Sequence, residues 1–348
     1  MGKDKVSIKD IARIVGVSPA TISFVINGKG PERKIRTETI NKVMDVVLKK
    51  GYRPNSFAQN LRKGSSRTIG FLVEDISRPF FSDVASVLER MMSEMDYTIL
   101  IGNFGEKGEK ISTAIDLLKS RCVDGYVIAA LPCIEDSLNK LIALGKPVVV
   151  FNQNFKSLRA NCVSSDNFNA VYNATLHLID QGFSNIGFIT TDNQDSQLSE
   201  RLEGYFKALL GNNLLPTVIK VADKNDPVCF RQLCAALTSN QKLDALIFAS
   251  GKLMEKGLGI ASKNRMDFLK KKAIVSCEDF YILKYLSPSI TAISHATEEI
   301  GKSIMEILEI ELGGDRQRDK AFSAVEVASK LIIRESTLSA DKTSDPVR

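Results

Sequence analysis

The sequence predicts an N-terminal all-α helix-turn-helix domain followed by a two-lobed α/β body of parallel, doubly wound sheets. Three observations carry this. Residues 6–27, VSIKDIARIVGVSPATISFVIN, hold two short helical patterns, their start signals and the turn between them. Charge is lopsided: residues 1–67 carry 15 Lys and Arg against 5 Asp and Glu, a net of +10, and the other 281 carry 32 against 36, a net of −4. At Thr68 the rhythm changes, and short β-rich runs begin to alternate with amphipathic stretches of about 10–15 residues, the βαβ signature.

The first helix starts at Ser7, which caps it, with Asp10 three residues on as the capping-box acid. Ile8, Ile11, Ala12 and Val15 form one apolar face, and Gly16 permits the turn. Ser18 caps the second helix, Pro19 takes its first position, and Val17 staples against Ile22. At 1.5 Å per residue, residues 18–26 make a helix roughly 13 Å long. Ile22, Val25 and Ile26 turn inward, leaving Ser18, Thr21, Ser23 and Asn27 outside. Hydroxyl side chains at a helix N-terminus suit phosphate contact, through free N–H groups and the positive dipole end. A basic loop over 28–36 leads to a third helix over 37–50, with Ile40, Val43, Met44 and Val47 on its inner face and Gly51 ending it. Residues 1–51 are thus a DNA-binding domain near the lower size limit for independent folding, and their positive charge points to a polyanion partner.

Residues 52–66 form a hinge. Pro54 blocks continuation of the third helix, Asn55 caps a new one and Gly64 ends it. So short a helix, below the roughly 12–15 residues an isolated helix needs, forms only when something packs on it. A plain linker is the alternative reading.

Residues 67–348 form the body. Strands are expected at 69–73, 97–101, 126–130, 148–151, 186–189, 246–248 and 273–276, with helices near 80–95, 107–120 and 134–144. About ten strands are too many for one open sheet, so two similar lobes with a cleft between them are expected. The six cysteines form no CxxC and only two histidines exist, so no metal site is expected. Free thiols, the lack of an apolar leader and the lack of a spanning segment point to the cytoplasm, with no membrane partner. No catalytic set and no cofactor are expected. Gly102, Gly105 and Gly108 mark a turn, Gly301-Lys302-Ser303 lies inside a helical pattern rather than a phosphate loop, and His177 is structural.

Residue by residue, the chain resembles the LacI/GalR-type bacterial transcription regulators. The head does so through Ile8-x-Asp10-Ile11-Ala12, Gly16-Val17-Ser18-x-Ala20-Thr21-Ile22-Ser23 and Val25-x-Asn27. The hinge adds Gly51-Tyr52-x-Pro54-Asn55, Ala58 and Leu61; the body adds Ile69-Gly70, Val123-Asp124-Gly125, Asp166-Asn167, Leu178-Ile179-x-x-Gly182, Ile186-Gly187-Phe188-Ile189 and Arg201-x-x-Gly204-Tyr205. The resemblance implies a ligand-responsive regulator, most often a repressor. It acts as a homodimer on a roughly palindromic double-stranded DNA operator, and its cleft takes a small-molecule effector, a sugar or related metabolite. It places Ser18, Pro19, Ala20, Thr21, Ser23, Phe24 and Asn27 at the DNA, Arg36 on phosphate, and Asn55, Ala58 and Leu61 in a hinge that folds on the operator. Leu61 is then a minor-groove wedge or, alternatively, a linker residue packing on its own body. In the cleft the resemblance places Phe80, Phe81, Asn152, Arg201, Lys252 and Asp279.

Departures from the family pattern matter. Pro19, Ala20 and Phe24 cannot form a paired base hydrogen bond, so reading is expected to lean on the hinge, phosphates and DNA shape. In the cleft Asn152 replaces a frequent Asp, Gly251-Lys252 an Asn-Asp pair and His295-Ala296 a Gln-Pro pair, which points to an altered ligand, an anionic one through Lys252 and Arg201, or to none. Phe80 and Phe81 also suit a core. The alternative function is a cytoplasmic sugar-binding protein without DNA regulation; a sugar-kinase-like enzyme lacks its phosphate loop. The polar tail carries no heptads, so a dimer rather than a tetramer is expected.

Overall fold

In the computed structural model the described residues are 6–52, 65–153, 158–192, 196–222, 227–238, 242–264, 268–313 and 322–338. Asn55, Ala58 and Leu61, and with them the expected hinge helix, lie outside the described residues. The chain forms two compact units, Met1–Ser66 and Arg67–Arg348.

The head unit contains α1 (Ile8–Val15), α2 (Pro19–Ile26) and α3 (Thr37–Lys49). The capping box forms: the Asp10 N–H donates to Ser7 Oγ at 3.3 Å, and the Ser7 N–H donates to Asp10 Oδ2 at 3.0 Å. Gly16 ends α1 at φ +81°, where a Cβ would be strained, and its N–H reaches the Ala12 carbonyl at 2.9 Å. Ile11, Ala12, Val15, Ile22, Val25, Val43 and Val47 make one small core. Met44, expected on the inner face of α3, is instead 40% exposed. A three-helix core this small is sealed by the i, i+4 pair Val43 and Val47, and Met44 lies about 100° around the helix from Val43.

The body holds β1 (Thr68–Val73), α4 (Pro79–Glu94), β2 (Thr98–Asn103), α5 (Ile111–Ser120), β3 (Gly125–Ala129), α6 (Glu135–Ile142), β4 (Val148–Phe151) and β5 (Asn161–Ser165). It continues with α7 (Asn167–Asp180), β6 (Ile186–Thr191), α8 (Ser196–Gly211), β7 (Thr217–Val221), α9 (Pro227–Thr238), β8 (Ala245–Phe248), α10 (Gly251–Asn264), α11 (Phe268–Lys271) and β9 (Ala273–Ser276). The last elements are β10 (Thr291–Ser294), α12 (Thr297–Leu312), β11 (Ala324–Val327) and β12 (Lys330–Ile332). Gly301-Lys302-Ser303 lies within α12.

Two six-stranded sheets form, ordered β11-β5-β4-β3-β1-β2 and β12-β10-β9-β8-β6-β7. Both share the doubly wound 2-1-3-4-5 order, and every ladder is parallel except β10–β12. The lobes are not contiguous in sequence. After β5 the chain enters the second lobe, where Val171, Ala174 and Leu178 of α7 join its core. After β10 it returns, and Ile300, Ile304 and Leu308 of α12 pack under the first sheet. It crosses again between β11 and β12. Gly204 permits a close crossing of α8 over α7: a Cβ there would lie 2.3 Å from the Phe168 carbonyl oxygen of α7.

Candidate functional site

In the head the second helix is built to present its start. Ser18 Oγ accepts the Thr21 N–H at 3.1 Å and lies 2.9 Å from Thr21 Oγ1. Asn27 donates back to the Ser23 carbonyl at 2.8 Å, so its amide is braced against the helix end. Ser18, Pro19, Ala20 and Asn27 are exposed, while Thr21, Ser23 and Phe24 are half-buried. Arg36 is exposed at the start of α3. The sequence-predicted contact residues therefore share the outer surface of α2 and its flanks, and Ile22 and Val25 hold that helix to the core.

In the body the cleft is lined by residues at or just beyond the carboxyl ends of the strands, where doubly wound sheets place their ligands. Glu74 follows β1, Asn152 follows β4, Ser165 ends β5 and Thr191 ends β6; Ser250 follows β8, Glu278 follows β9 and His295 follows β10. Together with Phe80, Phe81, Asn167, Gln197, Arg201 and Lys252 they enclose an inner cavity of about 150 Å³. An outer cavity of about 340 Å³ shares Arg78, Phe80, Glu106, Lys252, Lys256, Glu278 and His295, so these residues form the partition.

Most charge in the partition is paired within the chain; the exception among the described residues is Lys256, whose Nζ lies 3.8 Å from the Cys229 sulfur. Arg78, at the start of α4, bonds Glu74 on its own lobe and reaches Glu278 on the other at 3.4 Å. Lys252 on the second lobe meets Glu106 on the first at 2.9 Å. Gln197 donates to the carbonyl of Asn152, a residue held at φ +80°. Arg201, 4% exposed, is spent largely on scaffolding: its Nε donates to Asn167 Oδ1 at 2.9 Å and Nη1 to the Ala249 carbonyl at 2.7 Å, with Glu278 at 4.0 Å.

Burial pushes the Glu278 carboxyl up, but Arg78, Arg201, His295 and the Gly251 N–H outweigh it and leave it below the usual carboxylate range. Burial drives the His295 imidazole down to about 4, with Arg201 adding to the effect, so the ring is neutral at pH 7. That ring meets Phe80 edge-on at 5.4 Å. Glu74 moves the other way: burial raises it, opposed by Arg78.

Each sequence-predicted cleft residue has a place. Phe80, Asn152, Arg201 and Lys252 border the inner cavity. Phe81 borders it too, but is only 2% exposed and packs on Phe151 within the first lobe's core. Asp279 borders the outer cavity and is gripped by Arg334 at 2.9 and 2.7 Å. The neighbouring Glu278, in the bend after β9, is the carboxylate of the two that reaches the inner cavity, while also bordering the outer one. Sequence reasoning missed Glu74, Arg78, Gln197 and Glu278 as site residues. The available signal was their position just past strand ends or at helix starts. The expected anion preference through Arg201 and Lys252 meets cations that already have carboxylate partners.

Comparison with known proteins matches each part of the chain. The family model described as bacterial regulatory proteins, lacI family, matches residues 7–55. That for periplasmic binding proteins and the sugar binding domain of the LacI family matches residues 66–228, and that for a periplasmic binding protein-like domain matches 175–337. The transcriptional regulator RegA of Clostridium saccharobutylicum is 29% identical over 336 residues, 95% of this chain and 99% of that protein. The transcriptional repressor PurR of Vibrio campbellii is 29% identical over 334 residues, 94% of this chain and 97% of that one. Among solved structures, the lac repressor dimer bound to operator and an anti-inducer aligns with TM-score 0.80 at 19% identity, over 97% of this chain and all of that one. The regulator from Alkaliphilus metalliredigens complexed with D-xylulofuranose aligns with TM-score 0.68 at 24% identity, over 78% of this chain and all of that one. The matched head removes the reading as a binding protein without DNA regulation. The chain belongs to the LacI family of bacterial regulatory proteins: it is a DNA-binding transcription regulator with a periplasmic-binding-protein-like ligand domain, and not an enzyme.

Proposed function

We propose that this regulator is a cytoplasmic homodimeric repressor whose two heads read a roughly palindromic operator and whose cleft takes a neutral, polyhydroxylated metabolite such as a sugar. Ser18, Thr21, Ser23 and Asn27 contact DNA around α2, Pro19, Ala20 and Phe24 offer apolar contact to thymine methyls, and Arg36 reaches phosphate. Asn55, Ala58 and Leu61 form the hinge that folds on the operator. Phe80, Phe81, Asn152, Arg201, Lys252 and Asp279 surround or support the ligand chambers.

The observation that carries the ligand class is the pairing of Arg78, Arg201 and Lys252 with carboxylates of the same chain. Beside Lys256, which borders both cavities and among the described residues reaches only the Cys229 sulfur at 3.8 Å, the lining that faces a ligand is an aromatic edge with amides and hydroxyls, from Phe80, Asn152, Ser165, Thr191 and Ser250, and these suit ring faces and hydroxyl groups. The related structures holding D-xylulofuranose, cellobiose and ribose agree in kind. A ligand bridging the lobes shifts their relative angle, and through the hinges the fit of the paired heads.

One experiment tests both ends. Duplex binding by the full-length protein is measured across a salt series, with and without a panel of neutral sugars and their phosphate esters. Affinity falling steeply with salt and shifting only with a neutral sugar is expected. A shift seen with phosphate esters alone overturns the ligand class, and flat salt dependence overturns the phosphate contacts.

A further inference from the structure

The face of α2 turned away from Ile22 and Val25 carries Ala20, Phe24 and Asn27 at i, i+4 and i+7. Neither Ala20 nor Phe24 has a hydrogen-bonding group for a base edge. The structure brings another side chain to that face. The loop after α2 folds back on itself through the Lys29 N–H to the Phe24 carbonyl at 2.9 Å and the Arg33 N–H to the Lys29 carbonyl at 3.2 Å. Gly30 anchors the loop, being buried so close to α3 that a Cβ would lie 2.8 Å from Ile40 Cδ1. The fold of this loop sets the Arg33 guanidinium 4.8 Å from the centroid of the Phe24 ring.

Arg33 is exposed, and among the described residues no carboxylate lies within ion-pair distance of it. A guanidinium held over a ring face leaves its planar set of N–H donors for other partners, and the contact narrows its rotamers. The planar fork of such a guanidinium can pair with O6 and N7 of guanine.

We propose that Arg33 reads a guanine in the operator, with the Phe24 ring as its platform. The loop thus supplies the paired donor that α2 lacks, which amends the expectation that reading leans on hinge, phosphates and shape. The proposal rests on the reading that α2 enters the major groove. A base contact is favoured over a phosphate contact because Arg33 is mounted on the outward face of α2, among the residues that would meet base edges.

The test selects duplexes from a randomised library with the full-length protein, with Arg33→Ala and with Arg33→Lys. Affinity and salt slope are then measured on the duplex wild type prefers, and thermal melting checks that the variants fold. Wild type is expected to require a G·C pair in each half-site that Arg33→Ala no longer requires. On that duplex the alanine variant should lose roughly ten- to a hundredfold in affinity at little cost in salt slope. Arg33→Lys keeps the charge but not the planar fork, so it should fail to restore the preference. Phe24→Leu removes the platform and should weaken the same preference, non-additively with Arg33→Ala. An unchanged selection with Arg33→Ala overturns the proposal. So does uniform weakening on all duplexes, with the salt slope reduced by about one and rescued by lysine, which marks a phosphate clamp. If wild type retains no duplex, the reading of α2 falls and this proposal with it.

Discussion

Head and cleft treat charge in opposite ways. Among the described residues of the head the one ion pair is Arg13 with Asp10, at 3.7 Å and on the surface. Among the described residues, Lys29, Arg33, Lys34 and Arg36 have no carboxylate within that reach. In the cleft, Arg78, Arg201 and Lys252 each have a carboxylate within 4.0 Å. The difference follows from solvent. An exposed cation remains hydrated and costs little until a polyanion arrives, when its counterions are released. A cation between closed lobes has lost much of its water, so it stays charged only beside an anion. One surface leaves its cations in water, and the other neutralises most of its own before any ligand enters.

Three perturbations sharpen or break this contrast, in falling order of size. Ile22 is fully buried in the small core of the head. Ile22→Ala should cost about 3 kcal/mol, a large share of the stability of so small a domain. Calorimetry should then show the head melting early and the body unmoved; a joint shift of both transitions would mean that the two units do not unfold separately.

The second perturbation is pH. His295 titrates near 6.5 when unfolded and at about 4 in the cleft. Between those values the unfolded chain binds more protons, so stability present at pH 7 declines as pH falls from about 6.5 toward 4. Glu278, held below its ordinary range, loses stability in the same direction under stronger acid. His295→Gln removes only the histidine part, on the order of 2 kcal/mol after allowance for partial exposure. Denaturant melts of both proteins at pH 7 and pH 5 should converge on acidification, and parallel curves would show that the ring is not buried neutral.

The smallest effect is local. Ser18→Ala leaves the Thr21 N–H uncapped and should lower head stability by about 1 kcal/mol. Because that hydroxyl is also a proposed DNA contact at the start of α2, duplex affinity should fall more than the stability loss explains. Affinity loss that merely tracks stability would confine Ser18 to capping.

The head was legible because its signals are local. Ser7 and Asp10, Gly16, and Ser18 with Pro19 act within three or four residues, and the elements formed where they stand. What failed there was Met44, whose burial depended on how little surface the other two helices offer. Arg33 against Phe24 was likewise invisible, because only the path of the loop brings them together. In the body the continuous apolar runs of β1, β3, β4, β6, β8 and β9 were readable as buried parallel strands. The strands β5, β7, β10, β11 and β12 were not, since ladder partners rather than a continuous apolar run make them strands.

By itself, then, the sequence determined a cationic three-helix head, a doubly wound body and the family to which both belong, because caps, helical faces and βαβ rhythm are written within a few residues of one another. Only the tertiary structure decided the cleft. Glu74, Asn152, Thr191, Glu278 and His295 are far apart in the chain and meet because parallel strands deliver their carboxyl ends to one side while the chain crosses between lobes. Which carboxylate neutralises which cation follows from that meeting, since Coulomb attraction and desolvation act over a few ångströms of space and not along the chain.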